Sequence, residues 1–315
     1  MGSRIAIIDL GTNTFHLLIV DVDGSGYRIV HRERQAVKLG KKGINEGIIT
    51  EEAFHRASNT IARFKTSIDQ MAVDEIYAFG TSALRSASNQ KEIISQIKKE
   101  HGVEVNVISG DEEARLIFEG VKSALTFGGK SLVMDIGGGS VEFIIGDDNQ
   151  IHWKRSFEIG AQRLLEMYHR HEPITKTEIH ELYKHFDEVL GPLFKALDEY
   201  KPEALVGSSG TFDTLSDIYC IQNGITKDPN APETPLSFEG FNQIFKELLV
   251  RNREQRMSIP GMIELRVDMI VVACCLIDYV TKKYCFDKIR VSSYALKEGV
   301  LADLLKRKTS KVKAG

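Results

Sequence analysis

Two Gly-rich turns carry most of the chemistry in this sequence. Each follows an aspartate near the end of an apolar run: Asp9 precedes Gly11-Thr12-Asn13-Thr14, and Asp135 precedes Gly137-Gly138-Gly139-Ser140. A turn of this kind exposes successive backbone N–H groups with few side chains in the way, and such a concave array binds phosphate oxygens. The hydroxyls of Thr12, Thr14 and Ser140 and the amide of Asn13 add donors. The carboxylates of Asp9 and Asp135 would repel phosphate directly. They make sense with a hard cation between carboxylate and phosphate, as Mg²⁺ is usually held by one or two carboxylates, waters and phosphate oxygens. A third turn, Gly207-Ser208-Ser209-Gly210-Thr211, joins a strand pattern to a helix start and suits an anion through the free N–H groups there. Paired phosphate-gripping turns imply an extended phosphate chain, a nucleotide or a polyphosphate.

The run Ser109-Gly110-Asp111-Glu112-Glu113-Ala114-Arg115 places three acids at a helix start, with Asp111 expected as the N-cap. A carboxylate held near phosphates and shielded from water is suited to taking a proton from an attacking water, which makes one of these glutamates a candidate base. Arg85 follows strand 75–79 closely and could pair with phosphate oxygens through its planar fork. Lys38, Lys41 and Lys42 form a small basic loop that could guide an anionic chain. Among the histidines only His16, beside the first turn, is of interest; His169, His171, His180 and His185 lack metal-ligand partners at usual spacing. No G-x-S-x-G elbow and no GxxxxGK[ST] loop occurs, which disfavours a serine hydrolase and a P-loop enzyme.

These residues need elements to position them. Segments 4–9, 15–22 and 27–35 read as strands of a meander, followed by a helix over about 50–70 with Thr50 as N-cap, strand 75–79, a helix at 89–100 and strand 103–108. The pattern restarts with strands 131–136, 141–146 and 151–156, helices over 160–200, a strand at 203–206 and a short one near 288–292. Segment 224–236, with Pro229, Pro232 and Pro235, reads as a loop. Residues 7–19 and 133–145 align without a gap at an offset of 126, so the chain looks like two related α/β domains. Two such domains facing each other would leave a ligand cleft. The expected boundaries are 1–124 and 125–304, with a basic, frayed tail at 305–315.

A length of 315 residues suits two domains, and 42% hydrophobic with 27% charged residues is ordinary for a globular chain. A balance of 41 basic against 44 acidic groups argues against a nucleic-acid or acidic-membrane binder. The four cysteines, Cys220, Cys274, Cys275 and Cys285, form no CxxC and read as buried apolar residues of a reducing compartment. The stretch Met262 to Val280 carries Glu264, Arg266, Asp268 and Asp278, so it reads as a buried helix and not a membrane span. With an N-terminus too short and too soon charged for a signal peptide, the expectation is a cytoplasmic protein.

In this order, IDLGTNTFHLLI, GTSALR, ISGDEEARLIF, LVMDIGGGSVEFIIG, VGSSGTFDTL, the IPGM…R run at 259–266 and VSSYALKEGVL resemble the exopolyphosphatase and guanosine pentaphosphate phosphohydrolase family. The closing motif departs slightly, carrying Ser293 and Lys297. The resemblance implies duplicated actin-like (ribonuclease H-like) domains, each a mixed five-stranded sheet with flanking helices, in the short two-domain form. It implies Glu113 as catalytic base, Arg85 as cleft arginine, Asp135 and Glu142 as Mg²⁺-associated acids, and 11–14 and 137–140 as phosphate loops. It further implies inorganic polyphosphate or guanosine pentaphosphate as substrate, no nucleic-acid or membrane partner, and a homodimer in some members.

Overall fold

The computed structural model describes residues 2–313 other than Ser25 and Pro229, with side chains as far as Arg307. The chain divides into two units. One runs from the N-terminus to Gly120 and takes in the segment from Leu296 onward; the other is Val121–Ala295.

The first unit opens with the antiparallel meander β1 (Ser3–Leu10), β2 (Thr14–Asp23) and β3 (Gly26–Ala36). Then follow α1 (Glu51–Gln70), β4 (Glu75–Gly80), α2 (Ser82–Ser86), α3 (Gln90–His101), β5 (Val105–Val107) and α4 (Gly110–Ala124), which runs across the division. The sheet order is β3-β2-β1-β4-β5, with β1, β4 and β5 parallel. Strand β3 is the charged edge (Arg28, His31, Arg32, Glu33, Arg34), the composition that keeps an edge from pairing with another chain. Helix α1 forms because Thr50 accepts the Ala53 N–H at 3.2 Å and Glu51 and Glu52 sit in its first turn. It buries Ala53, Phe54, Ala57, Ile61, Phe64 and Ile68, a stripe of helical period, against the sheet core.

The second unit repeats this order. Strands β6 (Ser131–Ile136), β7 (Val141–Gly146) and β8 (Ile151–Phe157) form the meander, followed by α5 (Ala161–Tyr168), α6 (Lys176–Val189), α7 (Gly191–Tyr200), β9 (Ala204–Ser208) and α8 (Ser209–Gln222). The remainder is β10 (Glu233–Thr234), α9 (Phe238–Val250), α10 (Arg253–Met257), α11 (Glu264–Val267), α12 (Ile270–Lys283) and β11 (Lys288–Ser292). The sheet runs β10-β11-β9-β6-β7-β8. Without β10 it has the topology of the first sheet, so the duplication seen over residues 7–19 and 133–145 extends to the strand order. The sixth strand corrects the expectation of five and of a loop over 224–236. Glu233 and Thr234 pair with Ser292 and Val291 at an edge, a place where the flanking Pro232 and Pro235 cost no ladder bond.

Strands β6 and β7 are buried along their whole length, as continuous aliphatic runs covered on both faces should be. Helix α12 is buried from Ile270 to Val280 and forms the centre of the second core. The single helix expected over 262–280 is two. Glu264 and Arg266 lie in α11 and Asp268 at its end, so only Asp278 enters the apolar helix, where it accepts from Tyr183 Oη and from Lys282 Nζ at 2.8 Å. Among the described residues no helix is long and apolar enough to cross a membrane.

The last helix, α13 (Leu296–Lys313), packs on β1 and belongs to the first unit, whereas the expected second domain reached 304. Gly299 lets it lie against α4, because a Cβ there would overlap the Leu116 carbonyl. Arg115 of α4 reaches Asp303 at 3.0 Å across the same contact. The backbone stays helical to Lys313 where fraying was expected.

Candidate functional site

Parallel strands deliver their following loops to one edge of a sheet, the usual place for a ligand in α/β folds. In the first unit the carboxyl ends of β1, β4 and β5 lie side by side, Leu10 beside Gly80 and Gly80 beside Val107. Gly11–Thr14, Thr81–Arg85 and Ser109–Glu113 therefore leave the sheet together. In the second unit β6 and β9 bring Gly137–Ser140 and Ser209–Thr211 together, with Asp135 beside Ser208.

The two Gly turns are built alike. Gly11 N donates to Thr14 O at 3.2 Å, and Gly137 N donates to Ser140 O at 3.0 Å. In each, the loop carbonyls are held from behind. Thr12 O accepts from Gly40 N, and Asn13 O from Val37 N and Lys38 N, all at 2.9 Å. Gly137 O accepts from Ala161 N (2.9 Å), Gly138 O from Gln162 N (2.8 Å) and Gly139 O from Gly160 N (3.1 Å). Because a trans peptide points its N–H opposite its C=O, the N–H groups of Gly138, Gly139 and Ser140 turn the other way, and so do those of Asn13 and Thr14. Such an array has the geometry that can receive an anion. Thr12, Asn13 and Thr14 are nearly fully buried, and Thr14 Oγ1 has no hydrogen-bond partner among the described residues.

The acids of α4 separate by environment. Ser109, and not Asp111, caps the helix: its Oγ accepts the Glu112 N–H at 3.2 Å, which leaves Asp111 exposed in the first turn. Glu112 is gripped by Arg115 through both oxygens at 2.8 Å, and that hydrogen bonding holds its pKa below the usual carboxylate range. Glu113 alone is buried, and it meets Arg85 Nη1 at 2.7 Å. Arg85 Nη1 also donates to Ile108 O at 3.3 Å. Arg85, expected as the arginine that meets phosphate, thus lies against the Glu113 carboxylate at the same sheet edge.

A row of register partners crosses the second sheet: Ser208, Asp135, Glu142 and Ser156. Directly opposed residues point to one face, so two buried carboxylates stand side by side. Asp135 Oδ2 accepts from Ser208 Oγ and Ser209 Oγ, both at 2.6 Å, and Glu142 Oε1 accepts from Ser156 Oγ at 2.6 Å. Two adjacent buried carboxylates without a cation repel, and their hard oxygens fit Mg²⁺. No group of three His, Cys, Asp or Glu among the described residues could hold a metal, so waters and phosphate oxygens would complete its shell. The matching row in the first unit is Phe79, Asp9, His16 and Arg34. There the place of the second acid is taken by histidine, so the paired carboxylates occur only in the second copy of the frame.

In the third turn, Ser208 precedes α8 but does not cap it, its hydroxyl being committed to Asp135. Ser209 takes a left-handed φ of 68° to bring its own Oγ there, a conformation costing on the order of 1 kcal/mol outside glycine. Thr211 is buried, and Gly210 leaves room for the Arg266 guanidinium, which a Cβ would strike. Sequence reasoning passed over Ser156 and met Arg266 only as the end of the motif at 259–266, with no role assigned. Strand alternation opposite Glu142 pointed to the first; the place of the second against Gly210 comes from the fold.

A family model for the Ppx/GppA phosphatase family matches residues 18–308. The solved structure of an exopolyphosphatase from Cytophaga hutchinsonii superimposes with a TM-score of 0.94 at 48% identity, covering 96% of this chain and 98% of that one. Exopolyphosphatase 1 of Mycobacterium tuberculosis is 27% identical over 95% of this chain and 87% of its own. The guanosine-5'-triphosphate,3'-diphosphate pyrophosphatase of Pseudoalteromonas translucida is 29% identical over 95% of this chain and 59% of its own. With the motifs, the duplicated sheets and these matches in agreement, the chain belongs to the Ppx/GppA phosphatase family.

Proposed function

We propose that this enzyme is an exopolyphosphatase, hydrolysing the terminal phosphoanhydride bond of inorganic polyphosphate. Water attacks the terminal phosphorus, the bond to the bridging oxygen breaks, and the products are orthophosphate and a chain shorter by one unit. Glu113, positioned by Arg85, orients the water and takes its proton. The N–H arrays of 11–14 and 137–140, with the hydroxyls of Thr12, Thr14, Ser140 and Thr211, bind phosphate oxygens, and preorganised donors of this kind are the main requirement of phosphoryl transfer. Asp135 and Glu142 would hold Mg²⁺, which when bound offsets phosphate charge. Asp9 holds the equivalent place beside the first loop.

The observations that carry this reading are a like-built loop in each unit whose carbonyls are tied back and, within the first unit, the buried Glu113 paired with Arg85. The relatives named exopolyphosphatase support the substrate. The Pseudoalteromonas relative favours a second reading, removal of the 5′-terminal phosphate of guanosine pentaphosphate by the same chemistry. Phosphate release from a chain-length series of polyphosphate and from guanosine pentaphosphate, each with and without Mg²⁺, decides. Higher kcat/KM on polyphosphate, lost without Mg²⁺, is expected; a strong preference for the nucleotide reverses the order.

A further inference from the structure

The two phosphate loops share a backbone but not a backing. Residues 37–40, an irregular stretch, hold the first. The second is held by the N-terminus of α5, whose first N–H groups are spent on its carbonyls. Gly160 makes this approach possible, since a Cβ there would overlap the backbone of Gly138 and Gly139. One side chain joins the clamp. Arg163 Nε donates to Gly139 O at 2.9 Å, alongside Gly160 N at 3.1 Å, so that carbonyl takes two donors. The Arg163 side chain is 12% exposed, and its Nη2 is fixed by Glu158 at 2.9 Å.

We infer that Arg163 is a positioning residue for the second phosphate loop: from behind, it orients and polarises the Gly139–Ser140 peptide so that the Ser140 N–H grips phosphate. A cation on a carbonyl draws charge from the amide and strengthens its N–H as a donor, as hydrogen-bond chains polarise one another. The positive end of α5 acts the same way through the peptides following Gly137 and Gly138. Helix dipole and guanidinium thus reach the ligand through the loop without touching it. The second loop follows the strand that carries Asp135, whose register partner is Glu142. This assignment rests on the polyphosphatase reading for its substrate, but not for its anion.

The test uses the full chain. Arg163→Met keeps the stem and removes the donors; Arg163→Lys keeps a charge and one donor; Glu158→Gln loosens the guanidinium from an exposed position. Binding of inorganic tripolyphosphate by calorimetry, KM and kcat on polyphosphate, and the melting temperature are measured for each. Arg163→Met is expected to raise Kd and KM about tenfold, the low end for a charge-assisted hydrogen bond, with kcat falling less than KM rises. Arg163→Lys should recover part of that, and Glu158→Gln should shift KM the same way by a smaller factor at an unchanged melting temperature. Wild-type Kd and KM in Arg163→Met, or equal losses in the Met and Lys variants that track melting temperature alone, would overturn the inference. A wild-type chain that binds tripolyphosphate without hydrolysing it would sink the polyphosphatase reading, while Kd still decides the role of Arg163.

Discussion

At the scale of single residues, the site rests on what each acid touches. Three consecutive acids share a helical turn, yet only Glu113 combines burial with an arginine partner. Glu113→Gln keeps the shape and removes the proposed base. Phosphate release should fall about 10²- to 10⁴-fold, the span typical of general bases, with tripolyphosphate binding retained. A colorimetric phosphate assay beside calorimetry checks both halves, and wild-type turnover in the variant would remove Glu113 from the chemistry. Asp135 is under a different constraint. Its two serine donors and the neighbouring Glu142 place it in a charged row that a cation would neutralise. Asp135→Asn should therefore raise the Mg²⁺ concentration needed for half-maximal rate more than it raises KM for polyphosphate. An unchanged Mg²⁺ requirement would move the cation elsewhere.

At the scale of elements, buried acids also set stability. Glu178 opens α6 in a capping box with Thr175 and accepts from the N–H groups of Arg170 and His171 and from the His171 ring. Burial alone would raise its pKa, but the hydrogen bonds from Thr175, His171 and Arg170 hold it down to about 2. A depressed folded-state value stabilises above the ordinary value of 4.5 and is lost as pH falls towards 2. The gap in melting temperature between wild type and Glu178→Gln should therefore be full near pH 6 and close steadily below pH 4.5. A gap independent of pH would assign the effect to shape and not to charge. Elements of this kind were legible in the sequence where a local signal existed. Thr50 before Glu51-Glu52 marked α1, and Asp-x-Gly between aliphatic runs marked both hairpins. What stayed hidden depended on partners far along the chain. Ser109 took the cap from Asp111 two residues further on; β10 exists only because β11 offers it an edge; and Arg85 sits on Glu113, 28 positions along the chain. The row Ser208-Asp135-Glu142-Ser156 needs the pairing of four strands before it is a row at all.

At the scale of the whole molecule, duplication explains the frame and divergence explains the chemistry. The two sheets share strand order and loop hydrogen bonding, while one copy carries the acid pair and the other carries Asp9 with His16. The helix α13 completes the first copy. Gly299→Val would force it off the Leu116 carbonyl and should destabilise the first unit by about 1–3 kcal/mol, the usual cost of overpacking. Hydrogen exchange should then speed up in β1 and α4 and stay slow in α12. Faster exchange in α12 alone would place the damage in the wrong unit.

That helix also makes the first unit discontinuous, with Val121–Ala295 inserted between its parts. A ribosome at roughly 5–20 residues per second needs on the order of 9–35 s to travel from Gly120 to Leu296. During that interval the nascent first unit lacks its closing segment while the second unit emerges in one stretch. The later half of the gene product is thus positioned to mature first. A stalled or truncated message would release a chain whose glutamate-bearing half never closes.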